Sequence, residues 1–210
     1  MKHFRYSGLI AWKGHAGTGA EMRKLVYYVG TTLDGYIAGP NGEYDFLPIE
    51  PDVTEALLPE LPETIPTLAR EHMGLTDTPN RRFDTVLMGS ASYQPGLDAG
   101  TTSPYDHLDQ YVFSKSRTGE YPGVTMVRDD AVDFVADLKR RDGADIWLCG
   151  GGKLAASLAG LIDELIIKRY PLVIGAGIPL FDGPFRVSRW TPFQVQEFAS
   201  GALVTRYRTT

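Results

Sequence analysis

Ile146-Trp147-Leu148-Cys149-Gly150-Gly151-Gly152-Lys153-Leu154 runs four apolar residues into three glycines, and a helix-compatible segment follows at once. The apolar run predicts a buried strand over residues 146–149, and residues 153–159 predict a helix. Three adjacent residues without side chains let backbone N–H groups approach an anion closely. The first turn of the following helix adds unpaired donors and the positive end of its dipole. Two readings of the glycines stand side by side: a phosphate cradle, or a turn needed only for packing.

Working outward, residues 25–29 (Leu-Val-Tyr-Tyr-Val) and 84–88 (Asp-Thr-Val-Leu-Met) read as strands buried on both faces. The first leads into Thr31-Thr32-Leu33-Asp34-Gly35-Tyr36-Ile37-Ala38, and the second into Gly89, Ser90, Ser92 and Tyr93. Residues 111–115 and 124–127 predict two further strands. Asp129 or Asp130 caps a helix over residues 131–141, whose apolar positions form one stripe and whose C-terminal end is basic. Prolines 48, 51, 59, 62 and 66 predict a partly irregular lid over residues 48–66, with a helix only over 67–73. A loop is expected over residues 95–106. A strand over residues 163–173 precedes two alternating segments, 191–199 and 202–208, which flank Ser200-Gly201 and predict a hairpin. Strands interleaved with helices and closed by a hairpin predict a mixed, mainly parallel sheet covered on both faces. Ligands of such sheets bind beyond the carboxyl ends of the strands, so the loops after Val29, Met88, Phe113 and Cys149 are the candidates.

Composition excludes several classes. The 210 residues suffice for one large domain, and a net charge of -5 offers no footprint for nucleic acid. No apolar stretch reaches the roughly 20 residues that a membrane helix needs. The one cysteine, Cys149, sits in an apolar run and reads as a small buried hydrophobe, as expected of a protein of the reducing cytoplasm. Residues 1–21 lack periodicity and a signal-peptide core, and are expected to be a flexible extension before a domain over 22–210. The triple glycine is no Walker A loop, because Leu154 stands where magnesium needs a hydroxyl. Histidines 3, 15, 72 and 107 show no metal-ligand spacing, so no metal is expected. Neither a G-x-S-x-G elbow nor a G-x-G-x-x-G fingerprint after the first strand is present.

Taken together, Thr32–Ala38, residues 87–93 (Leu-Met-Gly-Ser-Ala-Ser-Tyr), Phe113-Ser114-Lys115, residues 147–154 and the late segment 163–181 occur in one characteristic order. Over residues 24–208 the chain resembles the dihydrofolate-reductase-like family, in the branch that includes the C-terminal reductase domain of bacterial riboflavin biosynthesis. The resemblance implies a three-layer α/β fold, a mixed and mainly parallel sheet flanked by helices, with a C-terminal antiparallel hairpin. It implies NADPH as cofactor, with Gly89, Ser90, Ser92 and Tyr93 holding one end of the pyrophosphate and Gly150, Gly151, Gly152, Lys153 and Leu154 the other. Ser114 and Lys115 would meet the 2′-phosphate, although Lys115 also reads as a solvated loop lysine. Ser90 stands where relatives often carry arginine, which throws phosphate affinity onto Lys115 and backbone donors.

The same resemblance implies hydride transfer to a C=N or C=O bond of a small, pteridine- or aminouracil-like substrate, with Thr32, Ile37 and Ala38 beside the nicotinamide ribose. Asp34 would anchor the substrate or orient the proton source, or else form an Asx-type turn beside Gly35. Tyr36 and Phe46 would floor a planar substrate, or belong to the core. No carboxylate among Glu55, Glu60 and Glu63 aligns as a pteridine-binding acid, and no zinc deaminase is attached. A homodimer through the final strands is implied as well. The alternative function is a non-catalytic NADP(H)- or ligand-binding module on the same fold.

Overall fold

The computed structural model describes residues 22–210. The expectation for residues 1–21 lies outside the described residues. The strands are β1 (Leu25–Thr31), β2 (Tyr36–Ala38), β3 (Phe83–Gly89), β4 (Asp109–Phe113), β5 (Thr125–Val127), β6 (Asp145–Gly150), β7 (Ile162–Arg169), β8 (Ile178–Pro179), β9 (Trp190–Glu197) and β10 (Leu203–Thr209). The helices are α1 (Pro51–Leu57), α2 (Thr67–Arg70), α3 (Ser90–Asp98), α4 (Ala131–Lys139) and α5 (Gly152–Ser157). Eight strands form one sheet in the order β5-β4-β3-β6-β1-β7-β10-β9, and β2 pairs with β8 apart from it. All neighbours from β5 to β7 are parallel, whereas β10 runs antiparallel to both β7 and β9. The mainly parallel sheet with its closing hairpin is the architecture expected of the sequence.

The continuous apolarity of the inner strands follows from burial on both faces. One face carries Val26, Tyr28, Val86, Met88, Trp147, Ile166 and Val204 beneath Val53 and Leu57 of α1. The other carries Leu25, Tyr27, Leu87, Ile146, Leu148 and Leu165 beneath Val135 and Leu138 of α4, Leu154 and Ala155 of α5, and Leu158 at the C-cap of α5. Asp130 accepts hydrogen bonds from the N–H groups of Val132 and Asp133, the cap that the sequence placed before α4.

Several boundaries differ from expectation. The proline-rich segment forms α1, because Pro51 falls in the first turn, where its missing N–H costs nothing. The loop expected from Pro95 is instead the second half of α3, with Pro95 inside the helix. Tertiary packing overrides the proline: a Cβ on Gly96 would lie 3.1 Å from Pro104, and Tyr93 of the same helix is fully buried. Only Thr67–Arg70 of the expected helix over 67–73 is formed. Strand β7 ends at Arg169 rather than 173, and Pro171 has no N–H to continue the ladder.

Candidate functional site

Strands β4, β3, β6 and β1 are parallel neighbours in that order, so the loops leaving their carboxyl ends share one edge of the sheet. The loops therefore stand in a row: Ser114 to Arg117, Gly89 to Ser92, Gly150 to Gly152, and Thr32 to Ala38. Ser114 and Lys115, Gly89, Ser90 and Ser92, Gly150 to Gly152, and Thr32, Asp34, Tyr36, Ile37 and Ala38 are the sequence-derived candidates on these loops, and the fold sets the four loops along one edge.

The two middle loops touch. A Cβ on Gly89 would lie 3.3 Å from the Gly151 backbone nitrogen, and one on Gly150 would lie 3.2 Å from the Ser92 hydroxyl. Gly150 has φ 141°, a conformation that side chains disfavour. The Gly150–Gly151 peptide is cis. At Gly152 an added Cβ would collide with the Pro179 carbonyl oxygen, because the chain before Asp182 lies directly across the start of α5. Gly89 and Gly151 cap α3 and α5 without any side-chain hydrogen bond, so first-turn N–H groups of α3 remain open toward the shared edge. Lys153 is exposed beside them. The side chains of Tyr93 and Leu154 are buried, and the Tyr93 hydroxyl donates to the Thr102 carbonyl at 2.7 Å. Neither side chain is therefore offered to a ligand at the edge.

At the β4 end the sequence reading missed Arg117. Its Nε donates to the Ser90 hydroxyl at 2.8 Å, one terminal nitrogen donates to the Ser90 carbonyl and to Gln94, and its guanidinium lies 5.6 Å from the Tyr93 ring centroid. Arginine thus stands at the start of α3 after all, delivered from the next loop. Buried Ser114 shapes that loop by accepting from the Arg117 backbone N–H at 3.1 Å. Arg128 donates to the Arg117 carbonyl at 2.7 Å, and Lys115 is exposed. The signal was present three residues beyond Ser114, in a basic side chain on the same short turn.

At the β1 end, buried Thr32 closes its loop by accepting from the Tyr36 N–H at 3.0 Å. Tyr36, Ile37 and Ala38 are half-buried in β2 against β8. Phe46 is half-buried as well. Asp34 is fully exposed, and its carboxylate accepts from the N–H groups of Ile174 at 3.2 Å and Gly175 at 2.8 Å. Hydrogen bonding from Thr32 foremost, joined by these backbone groups, holds its carboxyl below the usual carboxylate range against the opposing effect of desolvation. Asp34 is thus a clasp between two loops of the site. Because its pKa is lowered in the folded state, the clasp holds above the ordinary carboxylate pKa and is lost as pH falls through the lowered value. Asp34→Asn should speed amide exchange at Ile174 and Gly175 at neutral pH, with β1 unaffected. Unchanged exchange at both amides would remove the clasp.

The carboxylates between residues 50 and 64 are largely engaged elsewhere. Glu63 is completely buried and accepts from the backbone N–H groups of Arg81, Arg82 and Phe83, Glu60 pairs with Arg206, and Asp52 accepts from Ser200. Glu55 is exposed. Burial pushes the Cys149 thiol up to about 12, against a lowering effect of Lys168, so this sulfur is no nucleophile at neutral pH. No cluster with metal-ligating potential occurs among the described residues. On the opposite sheet face a cavity of about 400 Å³ runs from Thr31 and Leu33 past Ile167 and Phe181 to Trp190 and Tyr207.

Residues 101–204 match the family model of the RibD C-terminal domain. Two proteins of Bacillus subtilis (strain 168) are similar along most of their length. The uncharacterized protein YwjB is 33% identical over 162 residues, 76% of this chain and 83% of its own, and the uncharacterized protein YyaP is 29% identical over 174 residues, 77% and 81%. The chain belongs to the RibD C-terminal domain family.

Solved structures agree on the fold of this RibD C-terminal domain. A putative riboflavin biosynthesis protein from Shewanella sp. PV-4 superposes with a TM-score of 0.66 at 24% identity, covering 89% of this chain and 99% of that one. The diaminohydroxyphosphoribosylaminopyrimidine deaminase/5-amino-6-(5-phosphoribosylamino)uracil reductase of Thermotoga maritima gives 0.60 at 15% identity, over 90% of this chain and 57% of that one. The dihydrofolate reductase of Enterococcus faecalis, complexed with NADP(H) and RAB-propyl, gives 0.56 at 15% identity, over 89% and 96%. The three-layer, dihydrofolate-reductase-like architecture is thereby established, and the domain has a reductase-like fold. No helix among the described residues is long and apolar enough to cross a membrane.

Proposed function

We propose that the protein is an NADPH-dependent reductase that transfers a hydride to a C=N or C=O bond of a small heterocyclic substrate of pteridine or aminouracil type. The observation that carries this reading is the order of the four loops along the edge: a cationic turn at β4, open first-turn donors after β3, glycines without side chains after β6, and buried Thr32 with half-buried Ile37 and Ala38 beyond β1. That order is the order of 2′-phosphate, pyrophosphate and nicotinamide along the cofactor. The residues fit the group, since Gly150 and Gly151 present no side chain beside the Ser92 hydroxyl and the first-turn N–H groups of α3 stand open next to them.

When bound, NADPH supplies the hydride, and the protein supplies orientation and electrostatics. Arg117 and Lys115 would bind the 2′-phosphate, Arg117 through its charge and the terminal nitrogen not engaged by Ser90 and Gln94, and Lys115 as a point charge. The N–H groups of Ser90 and Ala91, with the backbone at Gly152, would hold the pyrophosphate, and Ile37 and Ala38 would exclude water from the ring. A non-catalytic module is the second reading, favoured by the engagement of the Asp34 carboxylate with Ile174 and Gly175.

Titration with NADPH, followed by nicotinamide fluorescence, should saturate in the micromolar range. Arg117→Ala should weaken NADPH by about 10-fold to 100-fold, as expected for lost charge-assisted hydrogen bonds, and NADH far less. Equal losses for the two cofactors would take the 2′-phosphate away from Arg117. Absence of any saturable change for the unaltered protein would overturn the cofactor itself. Steady oxidation of NADPH with any pteridine, aminouracil or quinone-like compound would dismiss the non-catalytic reading.

A further inference from the structure

Lys168 lies in β7 in register with Gly30 of β1 and Val204 of β10. It is half-buried, and its ammonium lies 4.5 Å from the ring centroid of buried Tyr28. Among the described residues no Asp or Glu oxygen comes within 4.0 Å of it. The polar groups facing it are the Tyr28 and Tyr170 phenols and the Cys149 thiol, with Glu50 beyond Tyr170 at the start of α1. Burial works to push the Lys168 amine down, and the phenols work to raise it. The net direction is upward, so the group is an ammonium at neutral pH.

A half-buried ammonium without a carboxylate is costly unless a ligand completes it. The Lys168–Gly30 row stands two residues before Thr32, roughly 7 Å along the strand at about 3.3 Å per residue. That places it beside the expected nicotinamide end of the edge. A site built to hold a donor-rich amidine needs a carboxylate at its centre; Glu60, Glu63 and Asp52 are committed to Arg206 and to backbone N–H groups, and Glu50 stands behind Tyr170 rather than beside the ammonium.

We propose that Lys168 is a substrate-recognition residue whose ammonium, flanked by Tyr28 and Tyr170, takes a carbonyl or oxyanion oxygen. The site then selects oxo- or carboxylate-bearing heterocycles over diamino, amidine-bearing ones. This rests on the reductase reading, which assigns the β1 end of the edge to the reacting ring.

Calorimetry on the full chain tests it, with orotate as a pyrimidinedione carboxylate probe and 2,4-diaminopyrimidine as its donor-rich counterpart, each with and without NADPH. Orotate should bind more tightly than 2,4-diaminopyrimidine. Lys168→Met should weaken orotate at least about 10-fold, the scale of a lost hydrogen bond to a charged group. Lys168→Arg should keep affinity within about three-fold because the charge is retained. Both variants should bind NADPH and melt as the unaltered protein does, which separates recognition from folding. Three results overturn the proposal: unchanged orotate affinity in Lys168→Met, tighter binding of 2,4-diaminopyrimidine, or no binding of orotate at millimolar concentration. Lys168-dependent orotate binding without any NADPH binding would sink the reductase reading and leave the recognition site standing.

Discussion

Replacing Glu63 by alanine should cost about 3 kcal/mol, the scale of an interrupted buried charge network. For a chain of this size that lowers the melting temperature by roughly 6–12 °C. Glu63 has no exposed surface, and its two carboxylate oxygens accept three consecutive backbone N–H groups: Arg81 at 3.1 Å, Arg82 at 2.9 Å and Phe83 at 2.7 Å. Alanine would strand all three donors and leave a cavity. Glutamine keeps the shape and can satisfy the donors on its carbonyl, but it points an amide N–H₂ at one of them. Glu63→Gln should therefore lose less, about 1–2 kcal/mol. Urea unfolding of both variants checks the order, and a loss below about 1 kcal/mol for alanine would contradict the account. The consequence extends beyond stability, because these amides open β3, whose other end is Gly89. Faster amide exchange at residues 81–83 should accompany weaker NADPH binding.

Glu63 also marks where sequence reading stops. An acid among prolines looked like a candidate substrate ligand that would not align, and nothing in its neighbours announced that the chain turns to place it under the start of β3. That contact joins residues about 20 positions apart and has no local pattern. By contrast, the parallel sheet was legible, because burial on both faces writes continuous apolar runs into β1, β3 and β6. The hairpin was legible because β9 and β10 have one more polar face. Helix α3 was not, since Pro95 and Gly96 are local breakers and only packing of Tyr93 and Gly96 overrides them.

The same contrast runs through the site. Gly89 and the triple glycine could be found because missing side chains are visible in sequence and have few structural uses. Arg117 and Lys168 could not, since a basic residue is common and its role depends on what faces it. Arg117 matters because it reaches Ser90 across a 27-residue separation, and Lys168 because β7 lies beside β1 rather than beside its sequence neighbours. For Asp34, sequence offered an anchor for substrate or a turn. The geometry uses its carboxylate to tie the β1 loop to residues 174 and 175.

Gly152→Ala should damage both the fold and cofactor binding, and for one cause. The new methyl group would collide with the Pro179 carbonyl oxygen and press on Asp182, whose backbone nitrogen would lie 3.2 Å away. Neither is a flexible side-chain end, so the backbone itself must move. Overpacking of this kind costs about 1–3 kcal/mol. Pro179 belongs to β8, which pairs with Tyr36 and Ala38 of β2, and Asp182 N–H donates to the Gly152 carbonyl at 3.0 Å. Displacement would therefore pass from the proposed pyrophosphate cradle to the wall proposed for the nicotinamide, and NADPH affinity should fall at least about 10-fold, as expected when a site is held loosely. Gly151→Ala is the control for size alone: its Cβ would meet only the Ser92 hydroxyl, at an ordinary 3.5 Å. Its stability should stay within about 1 kcal/mol of the unaltered protein, since no backbone atom blocks the methyl group. Equal destabilisation by the two alanines would mean that the glycines serve the turn as a whole, and that the Pro179 contact does not set the requirement at Gly152.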